Sequence, residues 1–138
     1  DGNLALGVQA CYRGPRLYDT ERTREMVASK VAWFKAHRDI LESDLLHGRR
    51  ADARDLDWML HVNPRLTERG LLAVFNPTGQ PIERTLRVNL YYTGLSGRAQ
   101  VQDPQGRWST FQISPNGFAE LTVSVPSQGM NAYIIRGL

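Results

Sequence analysis

Leu71–Arg136 reads LLAVFNPTGQPIERTLRVNLYYTGLSGRAQVQDPQGRWSTFQISPNGFAELTVSVPSQGMNAYIIR, and the texture of this stretch decides the fold. Within it, Leu121, Val123 and Val125 alternate with Glu120, Thr122 and Ser124, and Leu86, Val88 and Leu90 alternate with Arg87 and Asn89. Successive side chains of an extended chain point to opposite faces, so these strands bury one face and wet the other. Six strands are predicted: Leu71–Phe75, Thr85–Tyr92, Arg98–Gln102, Arg107–Ile113, Phe118–Val125 and Asn131–Arg136. Between them lie Asn76-Pro77-Thr78-Gly79, Gly94, Asp103-Pro104-Gln105-Gly106, Pro115-Asn116-Gly117 and Ser127-Gln128-Gly129, residue types that fix or invert φ and so turn the chain. Strands this closely spaced, with no crossover helices, favour an antiparallel β-sandwich over residues 71–138.

Upstream, Gly48–Gly70 mixes charges in RRADARDLD (Arg49–Asp57) and continues into DLDWMLHVNPRL without a clear period. It is expected to be an interdomain link holding one short strand or turn. Before it, Val27, Val31, Phe34, Leu41 and Leu45 recur at helical spacing, with Met26, Trp33, His37 and Ile40 on an adjoining stripe. A long amphipathic helix is therefore predicted over Thr20–Leu46, capped by Asp19 or Thr20 and closed by Gly48. Leu4–Cys11, LALGVQAC, is a nearly continuous apolar run of the kind found in a strand buried on both faces. The fold class expected is α+β: a strand and long helix over residues 1–47, the link over 48–70, then the sandwich.

The 138 residues carry 17 Lys+Arg against 14 Asp+Glu, a net charge of +3, with 41% hydrophobic and 22% charged residues. That is the composition of an ordinary folded domain. The charges alternate in sign and no block of five like charges occurs, which argues against nucleic acid as a partner. No apolar run approaches the ~18 residues needed to cross a bilayer, and no basic segment precedes the first apolar stretch, so neither a membrane span nor a signal peptide is expected. Cys11 is the single cysteine, which rules out an internal disulfide and a cysteine-based zinc cluster.

Candidate chemistry is sparse. Asp55 and Asp57 sit among Arg50 and Arg54 and read as charge pairs at a seam. Asp52, Asp55, Asp57 and His61 match neither a calcium loop nor a paired-histidine zinc helix, so no metal and no cofactor are predicted. His37, near the apolar stripe, is expected to pack. Tyr91 and Tyr92, as strand neighbours, are expected on opposite faces, and Trp108 and Phe111 likewise. Such rings serve either as core or as a carbohydrate platform. A third use is docking, with Trp33, Trp58 and Tyr92 joining helix, link and sheet.

A βα unit followed directly by a sandwich, together with Trp33, Arg38, Asp44-Leu45-Leu46-His47, Arg54-Asp55-Leu56-Asp57, His61-Val62-Asn63-Pro64, Phe75-Asn76-Pro77 and Tyr91-Tyr92-Thr93-Gly94-Leu95, resembles the C-terminal part of bacterial glycoside-hydrolase-like proteins, in which a catalytic (β/α)8 barrel precedes a β-sandwich. At 138 residues the chain is shorter than such a barrel, which needs about 200. The resemblance implies that Leu4–Cys11 is the last barrel strand and the helix its last outer helix, and it suggests a periplasmic or extracellular location. Barrel active sites lie at the C-terminal ends of the strands, so Cys11, Tyr12 and Arg13, followed by Arg16 and Asp19, would border the sugar site. There Tyr12 would stack on a sugar face and Arg13 would bind hydroxyls or a carboxylate. Both residues also fit a plain structural role: Tyr12 packing the rim, Arg13 pairing with a carboxylate. Glycosidases need two carboxylic acids about 5–9.5 Å apart, and the chain offers no convincing pair, which places the catalysts upstream. The expected function is support of the barrel within a glycoside-hydrolase-like protein, with the remainder of that protein, or a second copy, as partner. The alternative is a non-catalytic carbohydrate-binding or protein-interaction module.

Overall fold

The computed structural model describes residues 2–8 and 18–138. Eight strands form the body: β1 (Asp44–His47), β2 (Asp57–Val62), β3 (Glu68–Asn76), β4 (Ile82–Asn89), β5 (Gly97–Gln102), β6 (Trp108–Ile113), β7 (Phe118–Val125) and β8 (Gly129–Gly137). Six of them make one sheet in the order β1-β2-β3-β8-β5-β6, and β4 and β7 make a two-stranded layer. All pairings are antiparallel.

The predicted alternation is realised most cleanly in β7, where Ala119, Leu121, Val123 and Val125 are buried and Glu120, Thr122 and Ser124 exposed. Val88 and Leu86 of β4 lie opposite Ala119 and Leu121, so the two-stranded layer offers one apolar face. Against it the large sheet presents Leu60, Val62, Leu72, Val74, Tyr133 and Ile135, closing the sandwich core. The other face of the large sheet is also covered: Leu71, Ala73 and Ile134 pack with Ala5, Ile40 and Leu41. Strands buried on both faces have no polar positions to alternate. This is why β3 and β8 read as the unbroken apolar runs LLAVF and YII.

Two polar clasps fix the layers. The Tyr133 hydroxyl accepts from the Ser124 N–H at 2.9 Å and donates to the Ser124 carbonyl at 3.0 Å, tying β8 to β7 across the core. Buried Asn76 donates to the Gln80 and Val125 carbonyls and accepts from Thr78, so the Asn76-Pro77-Thr78 triplet is a turn that satisfies its own polar groups.

The helical side departs from expectation. Helix α2 (Glu21–Ala36) begins as predicted, its N-cap Thr20 accepting from the Thr23 N–H at 3.2 Å. It does not run to Leu46. His37 breaks it at φ −113°, ψ 18°, and a short α3 (Arg38–Leu41) follows. His37 Nδ1 lies 3.0 Å from Glu68 Oε2, which anchors the break to β3. Asp44–His47 is strand β1, with Leu45 opposite His61 and Leu46 opposite Leu60. Residues placed at helical spacing by Leu41 and Leu45 thus gain more from sheet hydrogen bonds and from packing of Leu46 against the core. The stretch expected as a link, 48–70, holds β2 and the start of β3 in the same sheet.

The strand expected over Leu4–Cys11 is not seen in its described part. Gly2–Ala5 is a helical turn, α1, closed by Leu6 N–H to Gly2 O at 3.2 Å and Val8 N–H to Asn3 O at 2.9 Å. A strand without a neighbour would leave those groups unpaired, whereas a turn satisfies them locally. Residues 9–11 lie outside the described residues. None of the α2 residues is buried: Val27, Val31, Trp33 and Phe34 are half-covered, and Met26 is 55% exposed.

Candidate functional site

Tyr12 and Arg13, the predicted substrate-binding residues, lie outside the described residues, as do Cys11 and Arg16. Asp19 is exposed beside the Thr20 cap.

The acidic seam ahead of β2 is built from charge pairs. Arg49 holds Asp52 at 2.6 Å and Arg84 of β4 holds Asp55 at 2.8 Å. The Leu56 N–H and then the Arg84 guanidinium lower the Asp55 carboxyl below the usual range, and the Arg54 N–H and Arg49 do the same for Asp52. Asp57 differs: burial raises its pKa, and Arg49 stands 3.6 Å away. Among the described residues no group of three or more His, Cys, Asp or Glu is placed to hold a metal ion. His61 is buried, its Nε2 2.8 Å from the Ala5 carbonyl, and desolvation lowers its pKa.

The aromatic residues fall into two groups separated by the large sheet. Trp33 and Trp108 pack on the helical side, where the Arg136 guanidinium lies 3.8 Å from the Trp108 ring centroid. Phe111 faces the sandwich, so the opposite facing expected of Trp108 and Phe111 holds. Tyr91 and Tyr92 do not split between two faces. They stand in a 3-10 turn (Tyr91–Thr93) that ends β4, both exposed and in edge-to-face contact at 5.2 Å. Asn89 Oδ1 accepts from the Tyr91 N–H, Thr93 Oγ1 donates to the Leu90 carbonyl, and Gly94 closes the turn at φ 68°. The signal for that turn was Asn89 with Thr93-Gly94, residue types that bond to nearby backbone or adopt positive φ.

Trp58 and Tyr92, which were expected to share a docking role with Trp33, instead line a cavity on the sandwich side, and Trp33 lies across the sheet from them. This cavity, about 250 Å3, opens between β1–β2 and the β4–β7 layer and is walled by Gly48, Trp58, Arg87, Asn89, Tyr92 and Phe118. The Arg87 guanidinium lies 4.1 Å from the Phe118 ring centroid. Trp58 Nε1 is buried without a hydrogen-bond partner among the described residues. Gly48 permits this arrangement by close approach to the indole, not by ending a helix. A second cavity of similar size, with Leu4, Trp33, Met130 and Ala132 in its wall, lies on the helical side.

No known family's sequence pattern matches the chain, and no curated protein sequence is similar to it. Solved structures are. Alpha-galactosidase I from Mortierella vinacea matches over 98% of this chain and 33% of its own, at TM-score 0.65 and 14% identity. A putative alpha-galactosidase from Bacteroides fragilis matches over 96% of this chain and 26% of its own, at TM-score 0.61 and 15% identity. The fold is one found within glycoside hydrolases. An alpha-amylase from Geobacillus thermoleovorans shares it over 88% of this chain and 25% of its own, at TM-score 0.53 and 10% identity. The chain thus spans a quarter to a third of the length of the structures it matches. Among the described residues no helix is long and apolar enough to cross a membrane.

Proposed function

We propose that the chain is a segment of a longer carbohydrate-active protein of the glycoside-hydrolase kind, in which the sandwich supports a catalytic barrel and the N-terminal residues border its sugar site. One observation carries this reading: nearly all of the chain aligns with only a quarter to a third of the alpha-galactosidases it resembles. The neighbouring carboxylates Asp52 and Asp55 are engaged by arginines, which leaves the acid and base of glycoside hydrolysis to be supplied from elsewhere. Exposed Met26, Tyr18 and Val8 agree with a helical side that other elements of the same protein cover. In this reading the barrel-side unit ends near Leu41 and the sandwich begins at Asp44, where β1 joins the sheet.

Tyr12 and Arg13 are proposed to stand at the sugar rim, Tyr12 stacking on a ring and Arg13 donating from its fork. Arg13→Ala and Tyr12→Ala, each made in the complete protein, are expected to lower kcat/KM on a glycoside substrate. Unchanged kinetics in both variants would remove these residues from the site.

A further inference from the structure

Among the described residues four strands lie at sheet edges: β1 and β6 in the large sheet, β4 and β7 in the small layer. An edge strand presents unpaired backbone N–H and C=O groups that template another strand, and folded proteins defend such edges by shortness, charge, proline, a bulge or a covering group. β1 is only four residues long and opens on Asp44. β4 carries Glu83, Arg84 and Arg87, and Arg84 is tied to Asp55 at 2.8 Å. In β7 the Ser124 N–H and carbonyl are taken up by Tyr133 and Asn131. β6 has none of these devices. Its sequence, WSTFQI over Trp108–Ile113, holds no charge, proline or glycine. Its register with β5 runs without a bulge from the pair Gly97 and Ile113 to the pair Gln102 and Trp108. Among the described residues, β5 is its only backbone partner.

We propose that the outer edge of β6 is the contact through which two copies of this chain associate, pairing antiparallel about a two-fold axis normal to the large sheet. The alternation within β6 is what favours a second copy as the occupant. Trp108 packs on the helical side and Phe111 on the sandwich side, so Thr110 and Gln112 share the face of Trp108, and Ser109 that of Phe111. A two-fold axis normal to the sheet keeps each face on its own side, so cross-strand neighbours are residues of the same face. With Thr110 on the axis, Thr110 opposes Thr110 of the partner subunit, Trp108 opposes Gln112 of the partner subunit, and Ser109 opposes Phe111 of the partner subunit. No like charges meet within the pairing, and opposed threonine hydroxyls stabilise such a contact. Arg107, just before the strand, is neutralised by Asp103 at 2.7 Å. Six residues a side make a small interface beside the about 1,600 Å2 of a standard one, so the pair is weak and forms as concentration rises. The contact rests on sheet geometry and is independent of the carbohydrate-active reading above, so its failure leaves that reading standing.

Sedimentation equilibrium of the intact chain measures the association. The mass is expected to rise from 15.6 kDa toward twice that value between micromolar and millimolar concentration. Amide hydrogen exchange in β6 is expected to slow over the same range, with exchange in β1 unchanged. Thr110→Lys, at an exposed position, sets two ammonium groups against each other at the axis and is expected to weaken association at least about tenfold. Thr85→Lys, on the exposed face of β4, is expected to leave it unchanged. Circular dichroism equal to that of the parent shows that the variants fold, and the exchange measurement needs no variant at all. A mass that stays at 15.6 kDa up to about 1 mM would overturn the proposal. So would a dimer that persists in the Thr110 variant, or exchange in β6 that does not depend on concentration, since each places the contact elsewhere.

Discussion

The indole of Trp58 lies directly against the α-carbon of Gly48: a β-carbon at residue 48 would fall 1.0 Å from Cε3 of that ring. The Gly48 N–H donates to the Trp58 carbonyl at 2.9 Å, so backbone pairing and ring packing together hold the two residues in contact. Gly48→Ala must displace the indole, and overpacking of this kind costs about 1–3 kcal/mol. Urea unfolding followed by circular dichroism should show that loss, together with a shifted Trp58 indole resonance. An unchanged midpoint would mean the ring moves away freely.

Tyr133 joins β8 to β7 through both backbone groups of Ser124. Tyr133→Phe keeps the ring in the core and removes the hydroxyl. The Ser124 carbonyl retains Asn131 Nδ2 at 2.6 Å, while its N–H loses its acceptor. A loss of about 1 kcal/mol is expected, the net worth of an ordinary intramolecular hydrogen bond at a part-buried site. Thermal unfolding measures it, and stability equal to that of the parent would count against the clasp.

His61 predicts a pH dependence with a definite sign. Its pKa is lowered in the folded chain from the ordinary 6.5, first by desolvation, with the hydrogen bond to the Ala5 carbonyl opposing only in part. Nδ1 is buried and has no partner among the described residues. Below pH 6.5 the unfolded chain takes up the proton before the folded chain does, so stability falls as pH is lowered from there toward the depressed folded value. His61→Gln is expected to flatten the stability profile across that window. A parent and variant with parallel profiles between pH 5 and 7 would contradict the prediction.

Thr20 caps a helix that buries none of its residues. The local nature of that helix means Thr20→Ala should cost about 0.5–2 kcal/mol of α2 stability with little effect on the sandwich. Hydrogen exchange should quicken in Glu21–Ala36 alone. Equal quickening in β3 and β8 would show that helix and sheet unfold as one unit.

The sandwich strands were legible because their chemistry is local. FAELTVSV is β7 to the residue, since alternation over eight positions leaves one way to face a core. The β-like stretches from Leu71 onward were recognised even where alternation failed, because LLAVF and YII are buried on both faces. Beyond the N-terminal run, three departures have physical causes that spacing cannot reveal. Leu45 and Leu46 continue a helical pattern but gain the sheet partners His61 and Leu60 in β2, which lie beyond the reach of a helical repeat. Trp58-Met59-Leu60-His61-Val62 carries little polar alternation because β2 is covered on both sides at its second half, where Leu60, His61 and Val62 are all buried. Tyr91-Tyr92 extends a strand by composition, yet Asn89, Thr93 and Gly94 bond and bend it into a turn. The cavity was the least legible feature: Gly48, Trp58, Arg87, Tyr92 and Phe118 come from separate segments, and only the tertiary fold brings them to one place.

The central claim, that this chain is one part of a larger carbohydrate-active protein, is tested most directly by the intact mass of the natural gene product, read with the residues that precede Asp1. The account predicts a mass far above the 15.6 kDa of this chain, with several hundred additional residues in βα alternation and acidic side chains at strand ends. A natural product of about 15.6 kDa that begins at Asp1 would contradict it.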